Sequence, residues 1–397
     1  MKSINEISLS GKKALIRVDF NVPLDEQGHI ADDTRIKAHL PTIRCVIDQK
    51  GKAILASHLG RPNGKRVEQY SLKPIAQKLT DLLGKNIIFV DDCIGPEAEA
   101  AVAAMKEGDV VLLENLRFHA EEEKNDDGFA RKLARLCDVY VDDAFATAHR
   151  GHASNVGITA YVSECAAGLL LARELSYLKK AVVDPVRPLV AIIGGAKVSD
   201  KIGVLEKLTE KVDKLIVGGG MAFTFLKALG HEVGKSLCEE NMLDVAKRIM
   251  AKAQERYVRL YLPVDCIVAQ VASIDAVTKR VAVQEIPKEW MALDIGPASV
   301  TLFGEALDDA RTIVWNGPMG MFELAPFSRG TFGLVDFVAS AHALSIVGGG
   351  DTDTAVHQAG QAERISYIST GGGAFLELLE GKSMPAVDAL EACGGKR

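Results

Sequence analysis

Short apolar runs recur along the chain, each followed by loop residues and then a stretch with helical spacing. In the first half the runs are "KALIRVDFNV", "KAILASH", "DVVLLENLRF" and "CDVYVDDAF". In the second half they are "RPLVAIIGGAK", "DKLIVGGG", "RLYLPVDCIVA", "RTIVWNGP", "ALSIVGGGD" and "RISYIST". Uninterrupted apolar runs of this length suit strands buried on both faces, as in a parallel sheet. Between them, "FARKLARLC" and "NMLDVAKRIMAKAQERY" have the periodicity of amphipathic helices. Strand–helix alternation predicts an α/β fold of doubly wound parallel sheets. "KRVAVQEIP" and "VDCIVAQVAS" read instead as a local antiparallel insertion.

The length of 397 residues suggests two domains or three. The boundary is expected near 165–190. There "CAAGLLLARELSYLKKAVV" reads as one helix, and the two prolines of "DPVRP" then stop it. Apolar residues make up 48% and charged residues 25%, which places the chain among folded globular proteins. A net charge of −6 argues against a general nucleic-acid or membrane-surface binder. The polar start "MKSINEISLSGKK" carries no apolar signal core, so a cytoplasmic protein is expected. Seven cysteines are scattered without a C-x-x-C, which predicts reduced thiols rather than a disulfide framework or a zinc site.

The two halves carry different chemistry. Four glycine clusters lie after residue 190: "AIIGGAK", "LIVGGGM", "IVGGGDTDTA" and "ISTGGGA". None is a G-x-x-x-x-G-K-[ST] loop. In a doubly wound sheet ligands bind beyond the carboxyl ends of the strands. Glycine lets an anion approach the backbone there, and a helix N-terminus offers it free N–H groups. Lys197 and Lys201 in "GGAKVSDK" would share one face of a helix that begins early. They stand where the charge on a transferring phosphoryl group would be met. Asp351, after three glycines, is the candidate magnesium ligand.

In the first half the expected strand ends carry cations: Arg35, His58 and Arg61 in "SHLGRP", Arg117 in "ENLRF", and His149, Arg150 and His152 in "ATAHRGH". Arginine forks bind carboxylate and phosphate bidentately, so these predict a pocket for a small, multiply anionic substrate. Asp19 and Asn21 in "RVDFNVP" would suit a hydroxyl on it, and Asp19 would equally suit a neighbouring arginine. Asp142 and Asp143 are expected in loop hydrogen bonds or in salt bridges to nearby arginines rather than on a metal. "HAEEEKNDDG" reads as a solvated acidic loop. Two anion-binding halves suggest group transfer with hinge closure that excludes water. A nicotinamide dehydrogenase would need G-x-G-x-x-G, and "GGGMAF" has Phe223 at its last position. A non-catalytic anion-binding protein would leave Lys197 and the Asp351 loop without a purpose.

Ten segments in order carry a resemblance over nearly the whole chain: "RVDFNVPLD", "DDTRIKAHLPTI", "SHLGRP", "ENLRFHAEEEKND", "TAHRGHAS", "GGAKVSDKI", "DIGPASV", "WNGPMGMFE", "GGGDT" and "STGGGAFLELLEGK". They resemble the phosphoglycerate kinase family. The resemblance implies two Rossmann-like domains joined by a helix, with a cleft between them. Residues 1–170 would bind phosphoglycerate, with the tail 382–397 packing back on them. Residues 171–185 would form the connecting helix and 186–381 the nucleotide-binding domain. The implied reaction is reversible phosphoryl transfer between ATP and the carboxylate of 3-phosphoglycerate, giving 1,3-bisphosphoglycerate and ADP, with Mg2+. A cytoplasmic monomer is the family expectation.

The resemblance also implies residue roles. His58, Arg61, Arg117 and Arg150 would hold the 3-phosphate, Asp19 and Asn21 the hydroxyl, and Arg35 the carboxylate that receives the phosphoryl group. Lys197 and Lys201 would meet the transferring group and the nucleotide phosphates. Asp351 would hold Mg2+, with Gly349, Gly350 and Thr352 around the phosphates. Glu323 would contact the ribose, near Asn316 and Pro318, and Gly195 and Gly219 would lie along the nucleotide. Gly372 and Gly373 would donate backbone hydrogen bonds at the transfer site. Ala146 and Met321 depart from the family pattern but replace no charged group. A carboxylate acceptor, with a pKa near ~4, is already ionised at neutral pH, so no general base is required. Charge neutralisation has to supply the catalysis.

Overall fold

The computed structural model describes residues 1–25 and 27–394. The chain divides into two compact units, Met1–Leu175 with the segment that begins at Ser383, and Ser176–Lys382. In the first unit the strands are β1 (Lys13–Arg17), β2 (Lys52–Ala56), β3 (Ile87–Val90), β4 (Val110–Leu113), β5 (Val139–Asp142) and β6 (Cys165–Ala167). They form one sheet in the order β3-β4-β2-β1-β5-β6, every pair parallel. Both faces of its central strands are buried, which is why β1, β2, β4 and β5 read as continuous apolar runs. Ile16, Leu55, Leu112 and Val141 face one core with Ile36 and Ile43 of the helix Thr34–Asp48.

The second unit contains β7 (Leu189–Ile193), β8 (Lys214–Val217), β9 (Arg259–Tyr261), β10 (Asp265–Ala269), β11 (Lys279–Ala282), β12 (Met291–Ile295), β13 (Thr312–Asn316), β14 (Leu344–Gly348) and β15 (Tyr367–Ser369). Its main sheet runs β15-β14-β13-β7-β8-β9, again all parallel. Ile192, Ile313, Trp315 and Val347 pack there against Phe303, Leu334 and Val335. The antiparallel insertion is present as β11-β10-β12 and covers a smaller core with Phe223 and Leu226. Four of the main strands, β7, β8, β14 and β15, each run into a glycine cluster, so all four clusters open on the same sheet edge.

Two readings of the sequence need correction. "RLYLPVDCIVA" is not one strand. Pro263 cannot donate to a ladder, and the run divides there between β9 and β10, in different sheets. "CAAGLLLARELSYLKKAVV" is not one helix either. Cys165–Ala167 extends the first sheet, the α-helix covers Leu169–Leu178, and a π-helical turn follows over Lys179–Val183. Among the described residues no helix is long and apolar enough to cross a membrane.

The chain returns to the first unit through the helix Pro385–Gly394. Ala386, Leu390 and Cys393 are buried, and Ala386 N–H donates to the Ala148 carbonyl at 3.1 Å. Cys393 is joined to Cys165 of β6 in a disulfide, with Cα atoms 6.0 Å apart. The expectation that all thiols are reduced is therefore wrong. It rested on local spacing, whereas these two cysteines are 228 positions apart and meet only because the last helix docks on the first unit. Cys45, Cys93, Cys137, Cys238 and Cys266 are free. Residues 395–397 of the expected tail lie outside the described residues.

Candidate active site

Each predicted residue of the first unit follows a strand on the carboxyl edge of the sheet, or begins the helix after it. Asp19 and Asn21 follow β1, His58 and Arg61 follow β2, Arg117 follows β4, and Arg150 lies in the loop after β5. Arg35 stands in the first turn of Thr34–Asp48. Its guanidinium donates to Asp19 Oδ2 at 2.7 Å and to the Asn21 carbonyl at 3.2 Å, so Asp19 takes the arginine partner that the sequence allowed. Asn21 Oδ1 accepts from Gly60 N–H at 2.9 Å. Arg61 is exposed, with no hydrogen bond or ion pair to the described residues.

Arg117 is only 4% exposed. It donates to the Gly60 carbonyl at 2.8 Å and pairs with Glu123 at 3.2 Å, but its second terminal nitrogen is buried with no partner among the described residues. Burial pulls its pKa down to about 10, outweighing Glu123, which acts in the opposite direction. His58 is driven well below the ordinary histidine range by burial and then by Arg17, Arg117 and Arg150. The same causes bring His152 to about 3. Both imidazoles are thus neutral, and the charge of this edge resides in its arginines. A cluster of desolvated cations is a strong attractor for an anion.

The layer beneath was not foreseen. Arg17, at the end of β1, is 0% exposed and donates to the Ser154 hydroxyl at 2.8 Å and to the Val18 carbonyl. Its one sequence signal is a cation that closes the apolar run Ala14–Ile16. Glu122, assigned to a solvated acidic loop, is also 0% exposed. Its carboxylate accepts from the Ser154 N–H at 2.9 Å and from the Ser154 hydroxyl at 2.6 Å. The loop reading fails because residues 120–123 form a helical turn that directs Glu122 inward. Asp142 and Asp143 do accept loop hydrogen bonds, but the ion-pair partner of Asp143 is His39 rather than an arginine. Asp142 accepts from Ala144 N–H, and Asp143 pairs with His39 at 2.8 Å and accepts from Leu170 N–H.

In the second unit, Lys197 and Lys201 do not share a helical face. The helix begins only at Ile202, with Lys201 as its N-cap, because residues 194–201 form the turn out of β7. Lys197 is exposed, whereas Lys201 is largely buried. Lys201 Nζ donates to the Gly194 carbonyl at 2.7 Å and to Asn316 Oδ1 at 2.6 Å. Burial lowers its pKa to about 8, against the upward pull of Asp351 and Asp200. Asn316 also donates to the Gly348 carbonyl at 2.7 Å, so it ties β13 to β14 beside the lysine. Thr352 is buried, and its hydroxyl accepts from Gly317 N–H at 2.7 Å.

The glycines separate by their surroundings. A Cβ on Gly219 would lie 2.6 Å from the Gly195 backbone, so this residue lets two loops touch each other. Gly350 and Gly372 have nothing within 4 Å of an added Cβ and border open space. Gly350 opens the helix Gly350–Gln358, and Gly373 is exposed at the start of Gly373–Leu379. Asp351 and Glu323 are exposed carboxylates with no hydrogen bond or ion pair to the described residues, while Gly195, Pro318 and Gly349 are half-buried. Elsewhere, Asp92, Cys93 and His119 come within 4.8 Å of one another. His119 and Asp92 are already hydrogen-bonded at 2.7 Å, and burial raises the Cys93 thiol, so the trio is a closed contact.

Comparison with known proteins agrees with this geometry. The sequence model of the family described as Phosphoglycerate kinase matches residues 4–382. The phosphoglycerate kinase of Citrifermentans bemidjiense is 60% identical over 395 residues, covering 99% of each chain. That of Geotalea uraniireducens is 59% identical over the whole of both chains. Among solved structures, phosphoglycerate kinase from Coxiella burnetii superposes with a TM-score of 0.90 at 44% identity, covering 98% of each chain. The enzyme from Pyrococcus horikoshii does so at 0.87 and 33% identity, covering 100% of each. Identity of this degree runs end to end through both parallel sheets, and the chain belongs to the phosphoglycerate kinase family.

Proposed function

We propose a division of labour for the phosphoglycerate kinase reaction, in which the first unit holds the phosphoglycerate and the second the nucleotide. The reaction is phosphoryl transfer with a carboxyl group as acceptor, a step of glycolysis. The buried guanidinium of Arg117, with an unpartnered nitrogen among arginines, is the observation that supports the first assignment. Arg61, Arg117, Arg150 and His58 take the 3-phosphate. Asp19 and Asn21 orient the hydroxyl, and Arg35, held by Asp19, faces the acceptor carboxylate. No residue has to remove a proton, because that carboxylate is already an anion.

In the second unit, Lys201 and Lys197 meet the nucleotide phosphates and the group in transfer. The backbone at Gly350 and Gly372 accepts close approach, and Glu323 reaches the ribose. Asp351 suits Mg2+, a hard cation usually held by one or two carboxylates together with substrate phosphates. When bound, the ion neutralises phosphate charge. Lys201 Nζ is held by three carbonyl oxygens, Gly194 O, Asn316 O and Asn316 Oδ1, before any ligand arrives, so its charge stands in place in advance. The protein is assigned to the cytoplasm, as a monomer, on the family's glycolytic role.

The test is ATP-dependent phosphorylation of 3-phosphoglycerate by Arg35→Ala and Lys197→Ala. Each is expected to lower kcat far more than it raises KM, as fits contact with developing charge. A near-normal kcat in either variant removes that residue from the transfer step.

A further inference from the structure

A directional chain of hydrogen bonds runs beneath the cation cluster of the first unit. The Ser154 hydroxyl donates its only proton to Glu122 Oε1 at 2.6 Å. The oxygen is then left as an acceptor, and Arg17 Nε–H donates to it at 2.8 Å. Another nitrogen of the same guanidinium lies 3.2 Å from His58 Nδ1. Guanidinium has only donors, so the hydrogen bond requires a lone pair on Nδ1. A neutral ring with a free Nδ1 carries its proton on Nε2. The nearest carboxylate that would hold the opposite tautomer, Asp19 Oδ1, stands at 3.8 Å from Nδ1, too far for a hydrogen bond. A doubly protonated ring would oppose its own N–H to that of Arg17, amid Arg117 and Arg150.

Glu122 adds a second hold. Its backbone carbonyl accepts from Ala153 N–H at 2.9 Å, and its side chain accepts from Ser154 N–H at 2.9 Å. The loop that bears Arg150 and His152 is therefore pinned at the residues next to them. The Arg17 charge, fully out of water, also finds in Glu122 a buried anion one residue removed, with Ser154 between them.

We propose that Glu122, Ser154 and Arg17 are positioning residues that lock His58 in the Nε2–H tautomer, so that it presents a hydrogen-bond donor to the phosphoglycerate oxyanion. The proposal rests on the reading of the first unit as the phosphoglycerate site. A neutral imidazole helps an anion in one tautomer and repels it in the other. Because burial and then the surrounding arginines keep the ring uncharged, the tautomer decides which of these applies. The relay acts on His58 without touching the ligand.

The experiment is a long-range proton–nitrogen correlation spectrum of the full-length enzyme with nitrogen-15 histidine, with His58→Gln used for assignment. The expected wild-type result is an unprotonated-type shift for Nδ1 and a protonated-type shift for Nε2, with Nε2 moving when 3-phosphoglycerate is added. In Ser154→Ala the two shifts should converge, and KM for 3-phosphoglycerate should rise roughly tenfold while KM for ATP stays unchanged. Glu122→Gln should move both readouts in the same direction. A wild-type ring that responds to phosphoglycerate but carries its proton on Nδ1 overturns the relay alone. So does a folded Ser154→Ala with wild-type shifts and KM. An Nε2 signal indifferent to phosphoglycerate overturns the site assignment and the proposal with it.

Discussion

Raising the pH should switch off Lys201. Its ammonium is largely buried and bonded to Gly194 O and Asn316 Oδ1, and burial brings its pKa from 10.5 to about 8. Such a group is about half charged at pH 8 and roughly one-tenth charged at pH 9. Phosphate groups have their second pKa near ~6, so nothing on the ligands titrates at and above about pH 8, where the limb lies. The assay is initial-rate ADP release between about pH 6.5 and 9.5, with ATP varied at saturating phosphoglycerate. The resulting kcat/KM reports ionisations of the enzyme before nucleotide binds. It should fall about tenfold for each pH step above ~8. With ATP saturating, phosphate against Nζ favours the ammonium form, so the limb should move to higher pH. In Lys201→Arg, whose charge persists beyond this range, the limb should vanish.

The same shift is a statement about stability. Between about 8 and 10.5 the unfolded chain binds more protons than the folded one, so stability from this group rises with pH across that window. It is complete above 10.5 and lost as pH falls through about 8, a cost of about 3 kcal/mol at neutral pH. A profile for ATP that stays flat to about pH 9.5, or one whose limb survives in an active Lys201→Arg, would refute the reasoning.

Further outcomes are expected. Arg117→Ala should raise KM for 3-phosphoglycerate roughly 10- to 100-fold, as loss of a charge-assisted hydrogen bond implies, and leave KM for ATP alone; steady-state kinetics check this. Asp351→Asn should raise the Mg2+ concentration needed for half-maximal rate, measured by magnesium titration at fixed ATP. Thiol titration of the denatured, unreduced protein should find the five free cysteines, and seven after reduction. Reduction should lower the melting temperature of the first unit, by an amount set by about 2–5 kcal/mol of lost cross-link, read by calorimetry with and without reductant.

What the sequence reveals here is what repeats or stands at an end. Leu15, Ile54, Val111 and Ile192 occupy strands buried on both faces, and apolar runs report that directly. Arg117 and Asp351 are legible because a charged residue just after such a run has one sheet edge to occupy. Glu122 was hidden because "EEE" looks alike at each position, and only the helical turn selects the one that turns inward. Arg17 was hidden because its cation is satisfied by Ser154 and His58, residues 137 and 41 positions away. Lys201 was placed inside a helix that starts too soon; the glycine-led turn after β7 runs on to Lys201, and the helix begins only at Ile202. The Cys165–Cys393 pair depends on where the last helix docks, which no local pattern encodes.

That last helix also sets a timetable for synthesis. The first unit has all six of its strands once Leu175 has been made, yet the segment carrying its closing helix begins only at Ser383, after the whole of the second unit. At about 5–20 residues per second, the ribosome needs roughly 10–40 s to cover that interval. Throughout it, the surface that will receive Ala386, Leu390 and Cys393 stays uncovered. The unit that starts first therefore finishes last, and the second unit is free to reach its native state before its predecessor can.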